Sequence, residues 1–418
     1  MFNLRVVKGF SHTIGLSSEH YIQRYQQIFQ DLYKLQYPLI PGFATIDGTK
    51  QYASNNSEIP VSHFRINYRN NLQLSSLGIG SYQGAPDQNN DIMLYGSIID
   101  SVLSGGVNVI DTAINYRYMK SERVIGSAIR ALNIPRDQLF ISSKGGYIPA
   151  DGDRGIQETQ LIRELINKNL ITQDDVVGAC HCMHPKFLEL QLEQSLNHLG
   201  LETLDLLYLH NAAESQLPFL GYDKFYDRIA KAFEQYEKFV QKGQIKRYGM
   251  ATWVCFRARP DEDRIHVPLE KIVQIAEKVG GKDHHFEYVQ MPINAMMPEA
   301  FSQEWQPFKG ENTQILTVAR QLKVNLVISS PLMGGTLMQV PLPSDIFKCQ
   351  FLGAKHLQFL RSIPAESIKT ILIGQKANRH TKQNLEVIRV PPLTADEFWS
   401  FFQPLKRKQV VDDELDMQ

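Results

Sequence analysis

The run Asn108-Val109-Ile110-Asp111-Thr112-Ala113-Ile114-Asn115-Tyr116 reads as a short β-branched strand that ends on a carboxylate, with a tyrosine five residues further on. Two later runs repeat the pattern of an apolar strand ending on an ionisable side chain. Leu139-Phe140-Ile141-Ser142-Ser143 ends at Lys144, and Leu204-Asp205-Leu206-Leu207-Tyr208-Leu209 ends at His210. A carboxylate, a phenol, an ammonium and an imidazole all hold and move protons, so four such groups delivered to one place would make an acid–base site. In a parallel β/α barrel every strand releases its last residue onto the same rim, where barrel enzymes do their chemistry.

The elements needed to position them are legible in the chain. Phe64-Arg65-Ile66-Asn67-Tyr68, a turn at Arg69-Asn70-Asn71 and Leu72-Gln73-Leu74 predict a β-hairpin. Leu77-Gly78-Ile79-Gly80-Ser81-Tyr82 predicts a first barrel strand. Amphipathic helices follow: Asp91 to Ser104, stopped by Gly105-Gly106; one capped by Ser121, with Val124, Ile125, Ala128, Ile129 and Leu132 on one face; and one opened by Pro185 and stopped by Gly200. Phe225, Ile229, Phe233, Tyr236 and Val240 make a further stripe, closed by Gly243. Short apolar runs at Lys246 to Ala251, Phe286 to Met291, Val324 to Ser330 and Thr370 to Gly374 bring the strand count to eight. Eight strands alternating with helices over about 320 residues predict an α/β chain of (β/α)8 type, with an N-terminal hairpin and extension. A doubly wound open sheet is the rival. It is disfavoured because Gly78-x-Gly80 runs into Ser81-Tyr82-Gln83-Gly84-Ala85-Pro86, where a dinucleotide fingerprint needs a helix to begin.

Composition narrows the partners. The chain of 418 residues is 43% hydrophobic, and its 44 Lys plus Arg balance 44 Asp plus Glu. No global field draws it to nucleic acid or anionic lipid, which leaves small neutral partners. Cys180, Cys182, Cys255 and Cys349 are too sparse for a disulfide framework, pointing to a reducing compartment. No apolar run approaches the roughly 18 residues needed to cross a bilayer.

Residues 1–62 lack sustained period apart from a helix expected at Glu19 to Leu35, and read as an extension ahead of a barrel at 63–390 and a tail at 391–418. Arg5, Lys8 and His12 face Phe2, Val6, Val7 and Phe10 on a helical wheel, with no acid before Glu19. This is the pattern of a mitochondrial presequence, and equally fits a disordered arm or one that docks a protein partner.

With those residues in view, the chain from about 64 to 390 resembles the aldo-keto reductases. Asp111, Tyr116, Lys144 and His210 match that family's catalytic tetrad in order and strand position. Reducing a carbonyl by hydride needs an acid for the developing alkoxide, and a phenol with a pKa near 10 donates poorly unless its anion is stabilised. The resemblance gives that task to Tyr116, with Lys144 stabilising the anion, Asp111 holding Lys144 charged and His210 orienting the substrate oxygen. Singly, each has an ordinary explanation: a loop cap, rim packing, a solvated charge, a core histidine. Their joint placement carries the reading.

The cofactor implied is NADPH. Gly80-Ser81-Tyr82 matches the segment that approaches the nicotinamide, and Gln290, with Asn294 beyond it, matches the glutamine that binds its carboxamide. Ser330-Pro331-Leu332 matches the start of the loop that closes over the pyrophosphate. Gly374, Lys376, Arg379, His380, Gln383 and Asn384 match the adenosine-phosphate site at a helix N-terminus, where Lys376 and Arg379 suit a 2′-phosphate. Two positions depart from the family pattern. Ala251-Thr252 stands where a Ser-Asn pair is usual, leaving Thr252 for the carboxamide, and Ser329 replaces the aromatic that stacks on the ring, a loss for which Trp253 or another aromatic at the mouth would compensate.

Cys180-His181-Cys182-Met183-His184 offers zinc ligand types, but the spacing is too tight for one tetrahedral site and no second cluster completes it. No metal is therefore expected. The same stretch closes a long insertion, Tyr147 to Met183, that would hang from the catalytic rim and shape access to it. A cofactor-binding accessory subunit of a larger assembly is the alternative to an enzyme, suggested by the altered nicotinamide contacts and the extension.

Overall fold

Short apolar runs bounded by turns form the strands β1 (Phe64–Ile66), β2 (Gln73–Ser75), β3 (Leu77–Gly80), β4 (Val109–Asp111), β5 (Phe140–Gly145), β6 (Leu206–His210), β7 (Tyr248–Ala251), β8 (Phe286–Pro292), β9 (Gln306–Phe308), β10 (Glu311–Thr313), β11 (Asn325–Ser329) and β12 (Ile368–Ile373). The structure is a computed structural model that describes residues 17–34, 37–260, 264–342, 345–375 and 377–401. Eight strands close a barrel in the order β11-β12-β3-β4-β5-β6-β7-β8, every neighbouring pair parallel. It is a (β/α)8 TIM barrel, and its eight strands are the eight expected.

Alternation along each strand divides the apolar residues between two cores. Val109, Phe140, Leu206, Tyr208, Tyr288, Val327 and Leu372 point inward and fill the barrel with Leu72 and Leu74 of the hairpin. Ile110, Ile141, Leu207, Val289 and Ile371 point outward and meet the helical stripes. Glycine is required at Gly249, where an added Cβ would lie 2.1 Å from the Tyr288 carbonyl oxygen of the adjoining strand.

β1 and β2 form the expected antiparallel hairpin and plug the N-terminal end of the barrel. Asn67 carries the attachment: its carboxamide donates to the Tyr288 hydroxyl at 2.9 Å and accepts from Leu72 N–H at 2.7 Å. Pro185 and Gly200 stand at the first position and the C-cap of the helix Pro185–Leu199, as expected, with Gly200 left-handed at φ 66°.

Three local features differ from the sequence reading. Ser121 does not cap its helix, which starts at Lys120; the Ser121 hydroxyl donates to the Ser81 carbonyl instead. The helix carrying Phe225 begins earlier, at Ala212, and is broken by Gly221 at φ 72°. The β9–β10 hairpin has no alternating apolar signature and escaped sequence reasoning.

The described part of the chain ahead of His63 packs on the barrel. The helix expected at Glu19 to Leu35 is present as Ser18–Lys34, with Tyr21, Tyr25 and Phe29 buried. Both tyrosine hydroxyls donate to Asp100, at 2.9 and 2.7 Å, on the helix Gln88–Ser104. The basic segment with Arg5, Lys8 and His12 lies outside the described residues, as does the tail beyond 401. Among the described residues no helix is long and apolar enough to cross a membrane.

Candidate active site

Parallel strands put Asp111, Lys144 and His210 at or near the C-terminal ends of β4, β5 and β6. Lys144 lies beneath the rim, 1% exposed, and its Nζ donates to Asp111 Oδ2 at 2.5 Å and to the Thr112 carbonyl at 2.7 Å. The same ammonium sits 4.7 Å from the centroid of the Tyr116 ring. The Tyr116 ring in turn packs edge-on against Tyr82 at 5.1 Å and His210 at 5.8 Å. The four residues picked out by type and spacing therefore converge.

Their electrostatics fit proton donation. Burial raises the Tyr116 pKa above the ordinary phenol value; Lys144 opposes that rise and Asp111 adds to it, so the phenol stays protonated. Burial alone would lower the Lys144 pKa, but Asp111 and Tyr116 outweigh it and hold the ammonium charged. Burial, with Lys144 and His181 nearby, pushes His210 well below the usual histidine range, so its imidazole is neutral.

Several supporting contacts were not legible beforehand. Asp111 Oδ1 accepts from the Ser142 hydroxyl at 2.6 Å and from Gln290 Nε2 at 3.0 Å, so both carboxylate oxygens are held. The loop after Tyr116 runs through three left-handed residues, Arg117, Tyr118 and Met119, at φ 51°, 57° and 66°. A buried pair fixes that conformation: the Arg117 guanidinium donates to Asp91 at 2.5 Å and to the Ala85 carbonyl at 2.8 Å. Charge and length gave no hint that Arg117 would turn inward.

A cavity of about 1060 Å³ opens above the tetrad. Its wall includes Asp111, Tyr116 and His210 and every expected cofactor residue except Lys376: Gly80, Ser81, Tyr82, Thr252, Gln290, Ser330, Pro331, Leu332, Gly374, Arg379, His380, Gln383 and Asn384. Lys376 lies outside the described residues. Some of these side chains already have partners. The Ser81 hydroxyl donates to the Asp111 carbonyl at 3.1 Å, and Gln290 Nε2 to the Asp111 carboxylate. Asn294 donates to the Ser330 carbonyl at 3.1 Å, holding Ser330 at φ 49° where the loop leaves β11. Trp253 and Ser329 both line the cavity, and the main chain at Trp253, Val254 and Cys255 is gathered by Glu214 Oε1 at 2.8, 2.6 and 3.1 Å.

The residues present suit a nicotinamide dinucleotide. Asn115 and His210 line the cavity, and each carries a buried polar atom, Oδ1 and Nδ1, that has no partner among the described residues. At the far wall the helix Asn378–Leu385 begins without a side-chain cap, beside Arg379, whose Nε reaches His380 at 3.4 Å. An added Cβ at Gly374 would lie 2.8 Å from Gln83 Cγ, so the wall there depends on glycine.

The insertion contributes less to the cavity than its length suggested. Only Tyr147 of residues 147–183 lines it. The rest forms a small core of its own, with Ile148, Leu165, Ile171 and Cys182 against Phe187, and is tied outward by Asp151 and Asp153 to Arg123 and Lys120. Within Cys180-His181-Cys182, His181 is buried between the His210 carbonyl and Gln216, and the Cys182 sulfur accepts from His184 N–H at 3.4 Å. Among the described residues no cluster of three His, Cys, Asp or Glu side chains could hold a metal ion.

A closed parallel barrel with an acid–base cluster under a deep rim cavity has the layout of a barrel enzyme. Residues 76–260 match the model of the aldo/keto reductase family. An uncharacterized oxidoreductase, YqkF, of Bacillus subtilis (strain 168) is 22% identical over 355 residues, covering 78% of this chain and 91% of that protein. The NADH-specific methylglyoxal reductase of Escherichia coli (strain K12) is 24% identical over 185 residues, covering 43% of this chain and 49% of that protein. Among solved structures, an aldo/keto reductase from Klebsiella pneumoniae, in complex with NADP and acetate, shares the fold with a TM-score of 0.52 at 17% identity, over 81% of this chain and 94% of that one.

Proposed function

We propose that this protein is an NADPH-dependent oxidoreductase that reduces an aldehyde or ketone carbonyl to an alcohol. The observation that carries the reading is Lys144 lodged beneath the cavity, between the Asp111 carboxylate and the Tyr116 ring, both of which line it. The Klebsiella relative, in complex with NADP, supports the choice of cofactor, and Arg379 at an uncapped helix start suits its 2′-phosphate.

Bound NADPH supplies the hydride. The chain's residues handle the rest. The neutral His210 imidazole donates to the carbonyl oxygen and orients it, without adding a second positive charge beside Lys144. Tyr116, kept protonated by burial, gives its proton to the oxygen as negative charge develops there. The phenolate left behind faces the Lys144 ammonium, which Asp111 keeps charged and in place. Ser142 and Gln290 on the second carboxylate oxygen keep Asp111 from turning away.

The test is NADPH oxidation over a panel of simple aldehydes and ketones, with the wild type and Tyr116→Phe. Wild-type turnover should fall by about 10²- to 10⁴-fold in the variant, while NADPH binding followed by nucleotide fluorescence persists. Unchanged turnover in Tyr116→Phe would refute the assignment.

A further inference from the structure

The Cys-His-Cys stretch that suggested zinc holds a histidine whose two ring nitrogens are both engaged, one of them on the residue proposed to orient the substrate. His181, fully buried, meets the His210 carbonyl through Nε2 at 2.8 Å and Gln216 Nε2 through Nδ1 at 2.9 Å. An amide N–H can only donate, so Nδ1 is the acceptor and Nε2 carries the proton given to His210. Burial drives the His181 pKa to about 4, which keeps this single tautomer across neutral pH.

The chain leaves β6 at His210, and Asn211 turns left-handed at φ 45°. At that sharp exit the His210 carbonyl needs a donor, and His181 supplies it. A second contact links the two histidines. The Tyr147 ring lies edge-on to both imidazoles, 5.2 Å from His181 and 5.1 Å from His210. Room for His181 depends on Gly146, at φ 124°, where an added Cβ would lie 2.7 Å from Nε2. Behind His181 the support continues outward. Gln216 Oε1 accepts from Arg228 at 3.2 Å, and Arg228 donates to the Asp174 carbonyl of the insertion at 2.8 Å.

We propose that His181 is a positioning residue for His210: held by Gln216, it fixes the main chain at the end of β6 so that the His210 ring faces the carbonyl to be reduced. The inference rests on the proposed role of His210 in carbonyl reduction. It gives the insertion a function beyond shaping access to the rim, since its returning segment at His181 braces the end of β6 from behind.

The test is a double-mutant cycle on the full-length protein, read as kcat/KM for propanal with NADPH and as NADPH affinity by fluorescence titration. His181→Leu should lower kcat/KM about ten-fold or more in the wild-type background and much less in a His210→Ala background, with NADPH affinity little changed. His181→Gln, which can still donate to the carbonyl, should recover part of the loss. Equal losses in both backgrounds, accompanied by a lower melting temperature and no recovery by glutamine, would make His181 a packing residue and overturn the proposal. Wild-type turnover in His210→Ala alone would remove the tetrad reading, and this inference with it.

Discussion

The two ends of the barrel both bury charge, but differently. At the N-terminal end Asp205 accepts from Ala44 N–H at 2.6 Å, Ile141 N–H at 2.8 Å and Arg136 at 2.7 Å, and Arg136 also reaches the Leu139 and Thr203 carbonyls. Arg65 and Arg361 on the same side end on main-chain carbonyls as well. These charges pin loops to strands. At the C-terminal rim the Asp111–Lys144 pair is equally buried, yet Asp111 borders a cavity lined by Asn115 and His210, each with a buried polar atom that has no partner among the described residues. The N-terminal end uses buried charge to fix the chain; at the rim Arg117 and Asp91 do the same for the loop after Tyr116, while Asp111, paired with Lys144, borders the cavity proposed to take the ligand.

Breaking one pair at each end sharpens the contrast most. Lys144→Met leaves Asp111 buried without its cation, so it should lose about 3–5 kcal/mol of stability and nearly all turnover. Asp205→Ala should lose a similar amount of stability, read by denaturant unfolding, while kcat/KM of the folded enzyme stays near wild type. Acidification should produce a smaller effect that belongs to both ends. Burial drives His63, at the N-terminal end, to a pKa of about 3 and His181, at the rim, to about 4. Both are neutral when folded and take up a proton when unfolded below their ordinary value. Their contribution is therefore full above about pH 6.5 and is lost as pH falls toward those values, at up to about 1.4 kcal/mol per pH unit for each. Unfolding midpoints measured between pH 7 and 5 check this. Smallest is Arg379→Ala, which should weaken NADPH binding about ten-fold and NADH binding much less, since only the former carries the 2′-phosphate. Equal losses for both nucleotides would detach Arg379 from that phosphate.

The barrel and the convergence of the tetrad were legible because both rest on local patterns. Strand runs that end on Asp111, Lys144 and His210 need only parallel closure to bring them together. What escaped depends on the direction a long side chain takes once distant segments meet. Nothing near Gln290 or Ser142 in sequence shows that both will turn to Asp111, 179 and 31 positions away. Arg117 reads as a surface charge until Asp91 and the Ala85 carbonyl are seen beside it. Ser121 followed the usual rule for a helix start, but the left-handed residues before Lys120 set that start, and its hydroxyl went to Ser81. The spacing of the Cys-His-Cys stretch argues against zinc but says nothing of the partner its histidine finds, since the His210 carbonyl is main chain and leaves no mark on composition.

In the proposed reaction hydride enters the carbonyl carbon from a nicotinamide held above Tyr116. This transfer is tested most directly by incubating the protein with benzaldehyde and NADPH deuterated at nicotinamide C4, in ordinary water, and measuring the mass of the benzyl alcohol. One deuterium is expected on the carbinol carbon, delivered from only one of the two C4-labelled epimers. Alcohol formed without deuterium from either epimer, or no alcohol at all across the carbonyl panel, would contradict it.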